Sequence, residues 1–156
     1  MSASVERVRA ALRAAGHDDA VMTFPEGTRT SADAAAAIGC TIAQIAKSIV
    51  FRADGRAVVA IASGANRVDP RKVEAALGVK VRSAGADFVV SQTGFIPGGV
   101  APLGHAHPAL VVFDRDLLAL HPIWAAAGAP DTVFQTEAAV LARITGAVVA
   151  DIRVEV

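Results

Sequence analysis

"KSIVFRADGRAVVAIASG", residues 47–64, decides the fold. Asp54-Gly55 is a strong two-residue hairpin signal between two apolar runs. "KSIVFRA" (47–53) reads as one strand and "AVVAIASG" (57–64) as its return. The return strand is apolar on both faces, so it belongs in the middle of a sheet, covered on each side. On the first strand, side chains alternate with period two. Lys47 therefore shares a face with Ile49 and Phe51, while Ser48, Val50 and Arg52 take the other. A cation is thus placed on an apolar side. Two readings stay open: a strand-end lysine whose stem covers the core while its ammonium snorkels out, or a cleft lysine that binds a phosphate or carboxyl oxygen.

Upstream of the hairpin, "SVERVRAALRAAG" repeats apolar residues at helical spacing and stops at Gly16. "AVMTF" (20–24) is a short strand ended by Pro25. "SADAAAAIG" (31–39) is a helix with Ser31 as N-cap and Gly39 as its stop. Thr41 to Gln44 fits a capping box, so one helical turn precedes Lys47.

Downstream, Asp69 caps the helix "PRKVEAALG" (70–78), with Pro70 at its first position. "VKVRSA" (79–84) reads as a strand, "ADFVVSQTG" (86–94) as a helix and "FIPGGVAPLGHAHP" (95–108) as a loop. "ALVVFD" (109–114) is a buried strand and "RDLLAL" a short helix. "IWAAAG" and "TVFQTE" form a hairpin-like pair, "AAVLARITG" (138–146) a helix, and "VVADIRVEV" a closing strand. This irregular interleaving predicts one α+β domain over residues 1–156, not a doubly wound parallel fold. Its sheet should be mixed, mostly antiparallel, twisted or barrel-like, and surrounded by helices. No repeat, Walker loop or dinucleotide fingerprint occurs.

Composition narrows the function. Hydrophobic residues make up 53% and charged residues 19%, which suits a packed chain of 156 residues. No apolar stretch is long enough for a membrane span, and the amphipathic N-terminus lacks the apolar core of a secretory signal. Cys40 is the single cysteine, which excludes an internal disulfide and fits a reducing cytoplasm. Zero net charge argues against coating DNA or RNA by charge alone. A local basic rim gripping one RNA end is still compatible with Arg52, Arg56, Arg67, Arg71, Lys72, Lys80 and Arg82 in mid-chain.

The segment "TGFIPGGVAPLGH" (93–105) carries the most chemical information. Four glycines and two prolines among thirteen residues make a rigid loop whose backbone can approach a ligand closely. Its free N–H groups would suit a carbonyl or phosphate oxygen; an ordinary surface loop is the alternative. His105 and His107 could share a metal if extended, but no further ligand motif accompanies them, and Pro108 suggests irregular backbone. His121 before Pro122 reads as a turn residue. Cys40 has no adjacent base and reads as packing, and Ser63 is not in a nucleophile elbow.

Three stretches, AQIAKSIVF (43–51), VVAIASGANRVDPRKVEAALG (58–78) and TGFIPGGVAPLGH (93–105), together resemble the YbaK/prolyl-tRNA-synthetase-associated editing domain family. The resemblance runs from about Pro25 to Ile152. It implies a free-standing hydrolase that deacylates mischarged aminoacyl-tRNA in trans, with tRNA-Pro carrying a small non-cognate amino acid as the expected substrate. It implies no metal or other cofactor. Partners would be the acceptor end of aminoacyl-tRNA and prolyl-tRNA synthetase. Lys47 would support substrate binding and catalysis. Gly98, Gly99, Val100, Ala101 and Pro102 would form the family's GxxxP loop around the terminal aminoacyl-adenosine. Candidate pocket residues are Val21, Phe24, Ile45, Ile49, Ala62, Ser63 and Phe95, with His105 as a further site residue. The competing expectation is a non-catalytic module that binds tRNA or a synthetase through the same cleft.

Overall fold

The expected hairpin is the spine of the sheet. In the computed structural model, which describes residues 2–155, β2 (Ile45–Ala53) turns through Asp54 and Gly55 into β3 (Arg56–Ser63). The two run antiparallel with Ala53 opposite Arg56 and Ala46 opposite Ser63. Asp54 takes φ 54°, the left-handed backbone that so tight a turn requires. Apart from Arg56, every residue of β3 is buried, because the strand is covered on both faces. Val59 and Ile61 enter the larger core, with Val8 and Leu12 of α1 (Ala3–Ala14) and Leu141 of α5 (Ala138–Ile144). Val58, Ala60 and Ala62 enter a second core, beside Val73 of α3 (Pro70–Leu77) and Ile152. Period-two alternation thus feeds two layers from one strand.

The remaining strands are β1 (Met22–Thr23), β4 (Arg82–Ser83), β5 (Leu110–Asp114), β6 (Ile123–Ala129), β7 (Thr132–Thr136) and β8 (Val148–Ala150). Their order is β1-β7-β6-β2-β3-β5-β8, with β4 added beside β2. The antiparallel pairings are β1–β7, β2–β3, β2–β4 and β6–β7, and the parallel ones β2–β6, β3–β5 and β5–β8. The sheet is therefore mixed and mostly antiparallel, as expected, and it stays open instead of closing into a barrel. The helices α2 (Ser31–Ile38) and α4 (Ala86–Thr93) complete the cover.

Several boundaries differ from the sequence reading. Thr30, not Ser31, caps α2: its hydroxyl accepts the Asp33 N–H at 3.0 Å. "VKVRSA" keeps only two paired residues, because exposed side chains there gain little from a sheet. "RDLLAL" is a 3-10 turn over Arg115–Ala119. The closing strand shortens to β8, after which only Arg153 bridges back to Val68. Met1, in the N-terminal stretch, and Val156, at the end of that closing strand, lie outside the described residues. The 95–108 segment has no regular structure, as expected, yet Phe95, Val100, Ala101 and Leu103 are buried in the main core. Residues 96–98 and 106–108 stay exposed, so the segment threads the core between two surface stretches. Among the described residues no helix is long and apolar enough to cross a membrane.

Candidate active site

The site arises where β2 changes partners. One edge of β2 is paired with β3 along Ala46–Ala53. Along the other edge, β6 pairs only with Ile45 and Ala46, and β4 only with Phe51 and Arg52. Between them, residues 47–50 have no strand alongside. A cavity of about 280 Å³ opens there. Five consecutive residues, Ile45 to Ile49, line it, which a strand paired on both edges would not allow. The opposite walls are Trp124, Ala125 and Ala126 of β6 and Val133 of β7. Thr28 to Ser31 and Ala34, at the start of α2, form a third wall, and Gly98 and Val100 of the loop a fourth.

Lys47 is the only lysine on this lining and is partly buried. Among the described residues its ammonium has no hydrogen bond or ion pair. Burial pushes its pKa below the usual 10.5, and the negative charge of Asp114 opposes that shift. Asp114 is not a free partner. It is 1% exposed and accepts the Ser63 N–H (3.1 Å), the Asn66 amide (2.9 Å) and the Asp116 N–H (3.0 Å). A partly desolvated cation with no ion-pair or hydrogen-bond partner favours any ligand that brings anionic or strongly polarised oxygen. No carboxylate lines the cavity to compete for that role.

The loop offers complementary donors. Gly99 spends its N–H on the Ile96 carbonyl (3.0 Å). The N–H groups of Gly98, Val100 and Ala101 have no hydrogen-bond partner among the described residues. Of the loop candidates, Gly98 and Val100 reach the cavity lining, whereas Gly99, Ala101 and Pro102 sit behind it. Gly99 is close-packed: a Cβ there would lie 2.9 Å from the Ala129 carbonyl carbon and 3.1 Å from the Pro130 nitrogen.

Other candidates separate just as clearly. Ile45 and Ile49 line the cavity. Ser63 does not, and its hydroxyl is donated to the Ala43 carbonyl at 2.7 Å. Phe95 is 1% exposed and belongs to the core. Ala62 is buried in the second core, Val21 packs on the main one, and Phe24 flanks a different surface depression. His105 lies off the lining too, with Nε2 2.8 Å from the Ala101 carbonyl and its ring edge-on to Phe95. A carbonyl only accepts, so Nε2 carries the proton. Burial lowers the His105 pKa, and the Ala101 contact only partly opposes this. His107 is exposed, and no group of three potential metal ligands exists among the described residues. Burial pushes the Cys40 thiol up, the opposite of an activated nucleophile.

Sequence reasoning missed the Thr28–Ser31 wall, Trp124 and Val133. Only the capping pattern before α2 hinted at the first. The other two look like ordinary strand residues until β6 and β7 are placed.

Comparison with known proteins gives a consistent result. The family model for the aminoacyl-tRNA editing domain matches residues 25–144. The uncharacterized protein YwhH of Bacillus subtilis (strain 168) is 32% identical over 133 residues, covering 85% of each chain. A proline–tRNA ligase of Geobacter sp. (strain M21) is 35% identical over 107 residues, which make up 68% of this chain but 19% of that ligase. Among solved structures, a protein proposed to be a trans-editing enzyme for prolyl-tRNA synthetase superposes with a TM-score of 0.92 at 38% identity, covering 99% of both chains.

Proposed function

The chain belongs to the aminoacyl-tRNA editing domain family, and on that premise we propose that it deacylates mischarged aminoacyl-tRNA in trans. The substrate we assign is tRNA-Pro carrying a small non-cognate amino acid, and prolyl-tRNA synthetase is the enzyme whose errors it would correct. The observation that carries this reading is Lys47, a cation with no ion-pair partner among the described residues, in the wall of a cavity that Gly98 and Val100 also line with unused N–H groups.

In the reaction, water adds to the ester carbonyl of the 3′-terminal adenosine. The tetrahedral intermediate collapses, the bond to the ribose oxygen breaks, and free amino acid and deacylated tRNA leave. The developing oxyanion needs fixed donors. Gly98 and Val100 supply backbone N–H groups from one wall and Lys47 a positive charge from another. The lining holds no carboxylate or histidine to act as a base, so a ribose hydroxyl of the substrate assists the water. This route uses no metal. Selection is by size: the walls of Ala34, Ile45, Ile49, Ala126 and Val133 admit a small side chain. One methylene in such a pocket is worth about 1–3 kcal/mol, so close homologues are poorly separated.

The test is release of amino acid from tRNA-Pro mischarged with alanine, cysteine, serine or threonine. Turnover of at least one species is expected, and Lys47→Ala should lower it by about 10²–10³-fold with the thermal midpoint retained. Wild-type rates in that variant would remove Lys47 from the mechanism. Measurable tRNA binding with no turnover of any species would favour the non-catalytic module.

A further inference from the structure

Loop 95–104 has no regular structure; residues 96–98 are exposed, but Phe95 and residues 99–103 are buried, so the buried part needs backbone partners that a helix or strand would otherwise provide. One side chain from outside the segment meets this need at both ends. Arg7, on α1, donates from Nε to the Gly104 carbonyl (2.8 Å) and from Nη2 to the Gly94 carbonyl (2.8 Å). A longer contact from Nη2 reaches the Thr93 carbonyl (3.4 Å). Its guanidinium carbon lies 4.6 Å over the ring centroid of Phe95. A single planar fork thus ties the two ends of the loop together across ten residues of chain, which suits arginine and not lysine.

Three features show that the site is built around this side chain. Arg7 forms no ion pair with a carboxylate among the described residues, so carbonyl oxygens are its charge partners. A Cβ at Gly94 would run into the Arg7 guanidinium, and a Cβ at Gly104 would come within 3.3 Å of the Arg7 carbonyl oxygen. The contact also continues inward. Phe95 meets His105 edge-on, and His105 holds the Ala101 carbonyl. Ala101 is the neighbour of Val100, which lines the cavity.

We propose that Arg7 is a positioning residue for the reaction: it fixes the 95–104 loop so that the N–H groups at Gly98 and Val100 face the substrate. The segment that decides loop geometry then includes α1, which lies outside the stretch matched by the family model. The catalytic consequence rests on the deacylase reading above, whereas the loop-fixing role does not.

The test therefore has two arms on the full chain. In hydrogen–deuterium exchange, Arg7→Met should speed exchange of the Gly99, Ala106 and His107 amides at least tenfold, with β3 amides unchanged. In deacylation of mischarged tRNA-Pro, kcat should fall at least tenfold with KM within threefold, and added methylguanidinium should restore part of it. If Arg7→Met does not fold, Arg7→Lys keeps the charge and loses the fork, and it should show the same two changes. Unchanged loop exchange overturns the proposal, and so does faster exchange with wild-type kcat. A wild type that turns over no mischarged tRNA sinks the deacylase reading instead, and the exchange arm still decides whether Arg7 fixes the loop.

Discussion

Gly99→Ala isolates the loop from every charged group in the site. The added Cβ would sit 2.9 and 3.0 Å from the Ala129 carbonyl carbon and Cα, and 3.1 Å from the Pro130 nitrogen. All three are backbone atoms of the β6–β7 turn and cannot rotate away. Ordinary contact would need about half an ångström more. The loop cannot move as a body, because Arg7 holds Gly94 and Gly104, and His105 holds Ala101. The displacement must fall on residues 98–100, where the cavity donors are. Overpacking of this kind costs about 1–3 kcal/mol. For a domain of this size, each kcal/mol lowers the thermal midpoint by about 2–4 °C. Catalysis should suffer more: a 1 Å misplacement costs about 100-fold, so half of that predicts roughly a tenfold lower kcat. Gly55→Ala is the control, since a Cβ there meets nothing within 4 Å. The assay is single-turnover release of amino acid from mischarged tRNA-Pro, beside thermal unfolding of both variants. A Gly99→Ala protein with a lowered midpoint but wild-type kcat would refute the claim that loop position sets the rate.

Two pH effects follow from burial. Burial lowers the Lys47 pKa, so folding disfavours its charged form; this destabilisation is full below the folded pKa and disappears as pH rises past 10.5. Carbon-13 titration of Lys47 Cε should thus show a midpoint below 10.5, with deacylation losing its dependence on residue 47 over the same range; a midpoint at or above 10.5 would contradict this. His105 is likewise depressed below 6.5, chiefly by burial. On acidification from 6.5 to its folded pKa, the unfolded chain takes up a proton that the native state refuses, so stability falls and then levels off. Chemical denaturation between pH 7 and pH 5 should show His105→Gln losing less stability than wild type, and equal slopes would count against a buried neutral His105.

Local chemistry made much of the fold legible. Asp54-Gly55 forces a two-residue turn, Gly39 and Gly78 end helices in the left-handed conformation, and Asp69 with Pro70 starts one. These signals act within a few residues, so periodicity and capping can reveal them. The apolar pattern of β3 already required a layer on each side. The odd placement of Lys47 was equally visible, because period two leaves no other face for it.

Contacts distant in sequence were not legible. Nothing in "TGFIPGGVAPLGH" says that part of the loop runs through the core, because the carbonyls of Gly94 and Gly104 on either side of that part are satisfied by Arg7, ninety-seven residues from Gly104. Nor can Ser63 and Phe95 be told from pocket residues by type: both are small-site candidates until Ser63 is seen bonded to Ala43 and Phe95 beneath Arg7. The sequence alone determined the hairpin, the helix ends and a lysine on the wrong face. Tertiary structure decided why that face is right: β6 leaves β2 after Ala46, β4 does not arrive until Phe51, and the unpaired edge between them becomes the cavity. The physical reason is that strand order depends on which distant apolar faces pack together, and residue spacing along one strand carries no record of its neighbours.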